Sequence, residues 1–226
     1  MYTPSAFKLH PALALAFAAS RGFGLAVSCD GGRPLASPVP FLIEERVGQS
    51  PRVTFHVARA NPLAALAEKG GTWLLAVAGD DAYVSAGWYA SADQVPTWLY
   101  ESVHLSGPVA VVPAEHARAH LDALTARFEQ GAKAPWTTDA VSPLRMAQLE
   151  RAIVVIEMLV ETLEGKFKLN QNKTDADHVA VASRLSVQDD HAARAIAARM
   201  VALRPHLMYQ NPASRPVAAL ADSGEM

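Results

Sequence analysis

Hydrophobic residues recur along this chain in two patterns, one typical of helices and the other typical of strands. Helical spacing predicts helices over residues 11–20, 62–69, 114–130, 142–152, 174–185 and 190–203. Alternating or continuously apolar runs predict strands over residues 25–28, 34–43, 52–57, 73–78, 82–85, 95–107, 108–112, 153–160 and 163–169. The mixture indicates an α+β protein, built as a small antiparallel barrel with peripheral helices.

Glycine and proline divide these segments. Asp30-Gly31-Gly32 is a strong hairpin signal between the first two strands. The second strand contains Pro34, Pro38 and Pro40, and proline has no amide hydrogen to donate, so we expect an edge strand or one that is bulged or interrupted. A turn is predicted at 79–81, a bulge at Gly107, and a buried face formed by Leu121, Leu124 and Phe128 in the 114–130 helix.

Aromatic residues concentrate between residues 81 and 107. Two of the four tryptophans and three of the five tyrosines lie there, although only 7% of the chain is aromatic. Tryptophan and tyrosine combine an apolar face with one hydrogen-bonding group, which suits the wall of a pocket for a flat heteroaromatic ligand. The alternative is an ordinary corner of the core.

A strand followed at once by a helix suggests a site for a phosphate. Asn61 is a good N-cap and Pro62 a good first helical residue, directly after a strand that contains His56. A helix N-terminus favours an anion, and Arg59 offers two parallel donors. The alternative is that Asn61 only caps the helix while Arg59 lies in solvent.

Later segments add two positive charges and an extension. Lys166 and Lys168 alternate with apolar residues, so both ammonium groups are expected on one face of a strand. Residues 174–177 resemble a capping box that opens a helix. We therefore predict a domain over 1–173, a helical extension over 174–204 and a flexible tail over 205–226.

Composition excludes several classes of protein. The formal charge is −2, from 20 basic and 22 acidic residues without a dense basic block, which disfavours a partner bound mainly through charge, such as nucleic acid. The single cysteine, Cys29, excludes an intrachain disulfide and suits a reducing compartment. Residues 11–19 are apolar but too few to cross a bilayer. We expect a cytoplasmic protein without a membrane segment or a metal site.

Four ordered segments resemble the PaiB family of FMN-binding negative transcriptional regulators. They are residues 56–62, residues 81–89, residues 95–104 and residues 163–172. The resemblance covers about residues 1–190. It implies a split β-barrel of the pyridoxamine-phosphate-oxidase and flavin-reductase type, and a homodimer that holds FMN at the subunit interface.

The resemblance also implies which residues hold the cofactor. His56, Arg59 and Asn61 would lie at the FMN phosphate and ribityl chain. The pocket would be lined by Ser85, Trp88, Tyr89, Thr97 and Trp98. Lys166, Lys168 and Gln171 would close it, from the same or the other subunit.

The chain departs from the family pattern along this pocket. The departures are Pro38, Ala86, Gly87, Leu99 and Asn170. The resemblance therefore implies either a flavin-binding regulator with weak flavin-dependent redox activity or a regulator that has lost flavin binding. Direct DNA binding is disfavoured, because the sequence contains no recognisable helix-turn-helix and the 190–204 segment carries only three arginines. A haem protein, with iron bound by His56, His104 or His178, is a further alternative.

Overall fold

A computed structural model describes residues 1–209 and divides them into two compact units. We name residues 15–77 and 103–163 the barrel unit, and residues 1–14, 78–102 and 164–209 the helical unit. The strands are β1 (Lys8–Leu9), β2 (Phe23–Asp30), β3 (Arg33–Glu44), β4 (Arg52–Ala58), β5 (Thr72–Val84), β6 (Thr97–Val111), β7 (Ile153–Leu159) and β8 (Thr162–Lys168). The α-helices are α1 (Pro11–Arg21), α2 (Pro62–Lys69), α3 (Ala117–Phe128), α4 (Pro143–Ala152), α5 (Asp175–Ser186) and α6 (His191–Leu203).

Six strands of the barrel unit close on themselves. The eight strands pair in the order β1-β8-β6-β5-β2-β3-β4-β7, and a further pairing of β6 with β7 completes a ring of six. Val109 lies opposite Met158 at that closure. Alternate residues face inward, and Phe41, Phe55 and Ile156 are at most 1% exposed. The predicted α+β fold with an antiparallel barrel is confirmed.

The β2–β3 hairpin forms as the sequence predicts. Asp30 pairs with Arg33 around Gly31 and Gly32, whose φ angles of 55° and 88° only glycine adopts readily. The prolines of β3 do not interrupt it. They lie in the half that pairs with β2 alone, since pairing with β4 begins only at Phe41. That half of β3 has one unpaired edge, which tolerates residues without an amide hydrogen.

Two predicted breaks in the strands are wrong. Residues 79–81 do not form a turn, because β5 runs from Thr72 to Val84. The buried positions change from odd numbers up to Val77 to even numbers from Ala82, so the strand absorbs a shift of register instead of ending. β6 likewise continues through Gly107 and Pro108.

The buried face of α3 also differs from the prediction. Its buried residues are Ala117, His120 and Leu124, whereas Phe128 is 51% exposed. Apolar periodicity does not indicate a buried polar residue, so His120 was not predicted to lie on this face. The predicted helices at 62–69 and 142–152 are confirmed as α2 and α4, and each begins at a side-chain cap followed by proline.

The helical unit contains the outer segments of β5, β6 and β8 together with α5 and α6. β1 pairs with β8, and the two helices pack on each other around Val181, Leu185, Ile196 and Met200, none of which is exposed. Glu101, which is 2% exposed on β6, forms an ion pair with Arg199 of α6. Arg199 of α6 is thus the counter-ion of a carboxylate that is buried on β6.

Two further predictions concern the membrane and the C-terminus. Within residues 1–209, every helix is too short or too polar to span a lipid bilayer. The predicted flexible tail falls mostly on residues 210–226, which lie outside the described residues. The predicted division at residue 173 stays a prediction.

Candidate functional site

Three predicted site residues lie in the barrel unit, at the junction of β4 and α2. Asn61 caps α2, since its Oδ1 accepts a hydrogen bond from the Leu63 amide at 3.0 Å. Its Nδ2 donates to Ser37 Oγ on β3 at 3.1 Å. The Ala64 amide donates to the Asn61 carbonyl and Pro62 has no amide hydrogen, so the first turn offers an anion few free donors, and most donors must come from side chains.

Arg59 is the cation of this group. Its Nε donates to the Arg151 carbonyl at 2.8 Å and its Nη2 to the Ile153 carbonyl at 2.9 Å. The Arg59 amide also donates to Ala152. The end of α4 therefore fixes an exposed guanidinium, whose Nη1 has no hydrogen-bond partner among the described residues. Such a fixed cation fits the phosphate of a flavin.

His56 has a partner that the sequence did not reveal. Its Nδ1 lies 3.0 Å from His120 Nε2 of α3, with the two rings edge to face. Burial, followed by the charge of His56, lowers the pKa of His120 to about 4, and burial also lowers the pKa of His56. His56 is therefore a neutral hydrogen-bonding residue at neutral pH, not a cation beside the phosphate.

The other eight predicted residues lie in the helical unit, and six of them form three clusters. In the first cluster, Lys168 donates to Thr97 Oγ1. In the second, Lys166 Nζ lies 5.3 Å from the centroid of the Tyr100 ring and donates to the Tyr2 carbonyl at 3.2 Å. The prediction that both lysines share one face of a strand is confirmed by the buried Phe167 between them.

Trp98 presents an exposed aromatic face. It is 54% exposed, and its ring meets that of Tyr83 edge to face with 5.9 Å between centroids. Tyr83 and Tyr100 were not among the predicted site residues, although both lay in the aromatic stretch. An exposed indole supported by a second ring can stack on a flat heteroaromatic ligand.

The third cluster surrounds the turn before Tyr89. Ser85 Oγ accepts from the Gly87 amide and begins a short turn that carries Trp88, which is half-buried. Tyr89 is 8% exposed, and burial raises the pKa of its hydroxyl. Trp88 and Tyr89 border a groove of about 720 Å³ beside α5. Tyr89 is thus mainly a support for the turn.

Gln171 is committed to local structure. Its Oε1 accepts from the Leu169 amide at 2.7 Å, and its Nε2 donates to the Phe167 carbonyl at 2.6 Å. Both ends of the amide close the turn after β8. Contact with a ligand would require this turn to open.

The departures from the family pattern have separate structural explanations. Leu99 is fully buried and belongs to the core. Asn170 adopts a left-handed φ of 61°, which asparagine tolerates better than most residues. Pro38 lies opposite Leu25 in the hairpin, and Ala86 and Gly87 form the turn before Trp88.

Haem ligation finds little support in two of the candidate histidines. His178 is fully buried, with Nε2 2.9 Å from the Met200 carbonyl and Nδ1 3.5 Å from the Asn170 carbonyl. His56 is engaged by His120. Both side chains are used within the fold.

Comparison with known proteins decides the family. The family described as "Putative FMN-binding domain" matches residues 1–162, about 72% of the chain. The chain belongs to this family. It is also 28% identical over 201 residues to "Protease synthase and sporulation protein PAI 2" of Bacillus subtilis (strain 168), which covers 88% of this chain and 96% of that protein. The predicted membership of the PaiB family is thereby confirmed.

Solved structures support the fold of this FMN-binding family member. The "FAD and Heme binding protein from Mycobacterium smegmatis" is 20% identical with a TM-score of 0.52, and 71% of each chain is covered. The "Flavocytochrome Anf3 from Azotobacter vinelandii" is 19% identical with a TM-score of 0.54, covering 84% of this chain and 75% of that one. At these identities the likeness shows the fold alone.

Proposed function

We propose that this protein binds FMN and serves as a flavin-containing regulator of the PaiB type. The observation that carries the proposal is the match of residues 1–162 to the FMN-binding family. The donor set fits the cofactor, since Arg59 supplies a fixed cation and Trp98 an exposed aromatic face. When bound, FMN supplies a redox-active isoalloxazine ring.

Arg59 is the residue that we assign to the FMN phosphate. It is exposed and is held by backbone carbonyls, so it pays little conformational entropy when it binds an anion. Asn61 would add its side-chain amide, and His56 a neutral ring nitrogen. The pKa of His56 is lowered by burial, which makes it a poor cation at neutral pH.

In the helical unit, we assign the isoalloxazine to Trp98 and Trp88. Lys166, Lys168 and Thr97 would supply polar contacts, with Ser85, Tyr89 and Gln171 shaping the turns around them. We further propose a homodimer with FMN at the subunit interface, in which the two groups of residues can come from different chains.

Regulation by direct DNA contact is not part of this proposal. The three arginines of the 190–204 segment are engaged within the protein. Arg194 donates to the Gln188 carbonyl, Arg199 pairs with Glu101, and Arg204 pairs with Asp175. Little of their charge is left for a phosphate backbone. We place the protein in the cytoplasm, where FMN and a reducing environment for Cys29 are available.

Replacement of Arg59 tests the assignment to the phosphate. Arg59→Ala should lower the affinity for FMN by about tenfold or more, because a charge-assisted hydrogen bond to the phosphate is lost. Riboflavin, which lacks the phosphate, should change by less than about threefold. Quenching of flavin fluorescence measures both affinities.

Arg145→Ala is the matched control for this substitution. Arg145 is exposed on α4 and hydrogen-bonds Gln148, outside both groups of site residues. It should leave FMN and riboflavin affinity unchanged. An Arg59→Ala protein that loses both ligands equally would contradict the assignment to the phosphate.

A further inference from the structure

The loop that carries Trp88 and Tyr89 is fastened to α5 by one buried carboxylate. We name residues 85–96, between β5 and β6, the aromatic loop. Asp177 of α5 is 2% exposed, and its Oδ1 accepts a hydrogen bond from the Ser91 amide at 2.9 Å. The Ser91 hydroxyl lies 3.0 Å from Oδ1 and 2.9 Å from Oδ2. These hydrogen bonds, and the one from the Ser91 amide most of all, hold the pKa of Asp177 below its usual range.

A second chain of contacts fixes the same loop. Lys173 Nζ donates to Gln94 Oε1 at 2.6 Å, and Gln94 Nε2 donates to Ser91 Oγ at 2.9 Å. The same ammonium lies 5.0 Å from the centroid of the Tyr89 ring. Residues 173–177 thus contact the aromatic loop at Tyr89, Ser91 and Gln94, directly after Trp88.

Capping of α5 does not account for these contacts. Thr174 alone caps the helix through the Asp177 amide at 3.2 Å, so the Asp177 carboxylate is not needed for that bond. A residue that only completed a capping box would turn its carboxylate back to the N-cap, whereas this one also reaches a loop 86 residues away in sequence. α5 packs against the 86–88 turn as well.

We propose that Asp177 is a positioning residue for flavin binding, which through Ser91 holds the aromatic loop so that Trp88 meets the ligand in a fixed orientation. This role rests on the proposed function. It lies outside residues 1–162, so the segment beyond the family match contributes to the site. Asp177 should affect binding of the isoalloxazine ring and not of the phosphate, because it orients Trp88, which is assigned to the ring.

The test combines hydrogen exchange with the affinity for two flavins. In apoprotein, Asp177→Ala should speed amide exchange in peptides that cover residues 89–94, since the Ser91 amide loses its acceptor. The affinities for FMN and for riboflavin should then fall by the same factor, about tenfold. Ser91→Ala, a milder change, should weaken both by about threefold.

Two matched variants serve as controls. Asp177→Asn keeps an oxygen that can accept from the Ser91 amide and should restore both affinities to within about threefold of the wild type. Asp189→Ala removes the same charge from the segment between α5 and α6, where Asp189 is exposed and pairs with Arg194. It should leave loop exchange and both flavin affinities unchanged.

Several outcomes would overturn the proposal. Unchanged exchange in Asp177→Ala would show that the carboxylate does not hold the loop. Faster exchange with unchanged flavin affinity would show that the loop is held for another reason, and a loss confined to FMN would indicate a role at the phosphate. Wild-type protein that binds neither flavin would reject the proposed function itself, and the exchange data would still show whether Asp177 orders the loop.

Discussion

The pair of His56 and His120 shows how one buried neighbour changes the role of a residue. One ring must donate an N–H to the other across the 3.0 Å separation, so the pair is complete when both rings are neutral. A proton added to the accepting nitrogen would place two N–H donors opposite each other unless the other ring changed tautomer, and protonation of both rings would place two cations side by side. His56 is therefore better suited to a neutral hydrogen bond with a ligand than to an ion pair with it.

The pair predicts a loss of stability as the pH falls. His120 has a pKa of about 4 in the folded protein against about 6.5 when unfolded, so below pH 6.5 only the unfolded chain takes up the proton. The contribution is complete above pH 6.5 and declines toward pH 4. Between pH 6.5 and pH 5 the free energy of unfolding should fall by about 1.5 kcal/mol, which urea unfolding can measure.

His120→Gln should remove most of this pH dependence, while His116→Gln should leave it intact. His116 is exposed, just before α3. Comparing slopes instead of absolute stabilities separates titration from any general cost of the substitution. Equal slopes in the wild type and in His120→Gln would contradict the account of the pair.

Single residues were predicted well where local chemistry alone decides their role. Asn61 as a cap and the shared face of Lys166 and Lys168 follow from spacing, and both are confirmed. The partnership of His56 with His120 joins positions 64 residues apart, and that of Ser91 with Asp177 joins positions 86 apart. Such pairs depend on the tertiary fold, which spacing along the chain does not encode.

At the scale of elements, β6 requires a glycine where it passes β7. A Cβ on Gly107 would lie 1.7 Å from the carbonyl oxygen of Leu159, a residue of β7 that pairs with Arg52 of β4. The glycine therefore permits a close approach of two strands, where the sequence suggested a bulge. Its φ angle is not in the left-handed region.

Gly107→Ala should therefore destabilise the barrel severely. We expect a loss of at least about 3 kcal/mol, or failure to fold, because neither backbone can move away without breaking strand pairing. Urea unfolding, or the yield of soluble protein, measures this. Gly87→Ala is the control, since its Cβ would meet only Ser85 Oγ at 3.8 Å, and a similar cost in both variants would refute the explanation.

The course of the strands was harder to predict than their existence. Residues 79–81 carry strong turn signals, yet β5 continues through them as a strand. Hydrogen bonds to adjacent strands outweighed local turn preference. The helices around the barrel, by contrast, carry caps and prolines of their own, so their starts could be predicted closely.

For the molecule as a whole, the family and the fold agree about the barrel but leave the C-terminal helices unassigned. The family match ends at residue 162, before α5 and α6. Asp177 gives that segment a role, because it orders a loop that belongs to the matched region. Loss of α5 would thus be expected to affect flavin binding as well as stability.

The claim that this protein binds FMN is tested most directly by titrating the full chain with FMN. We expect flavin fluorescence to be quenched with about one FMN per chain and a dissociation constant in the micromolar range or below, with riboflavin bound more weakly because it lacks the phosphate that Arg59 holds. Protein that is folded by circular dichroism, yet leaves FMN fluorescence unchanged at tens of micromolar, would contradict the account.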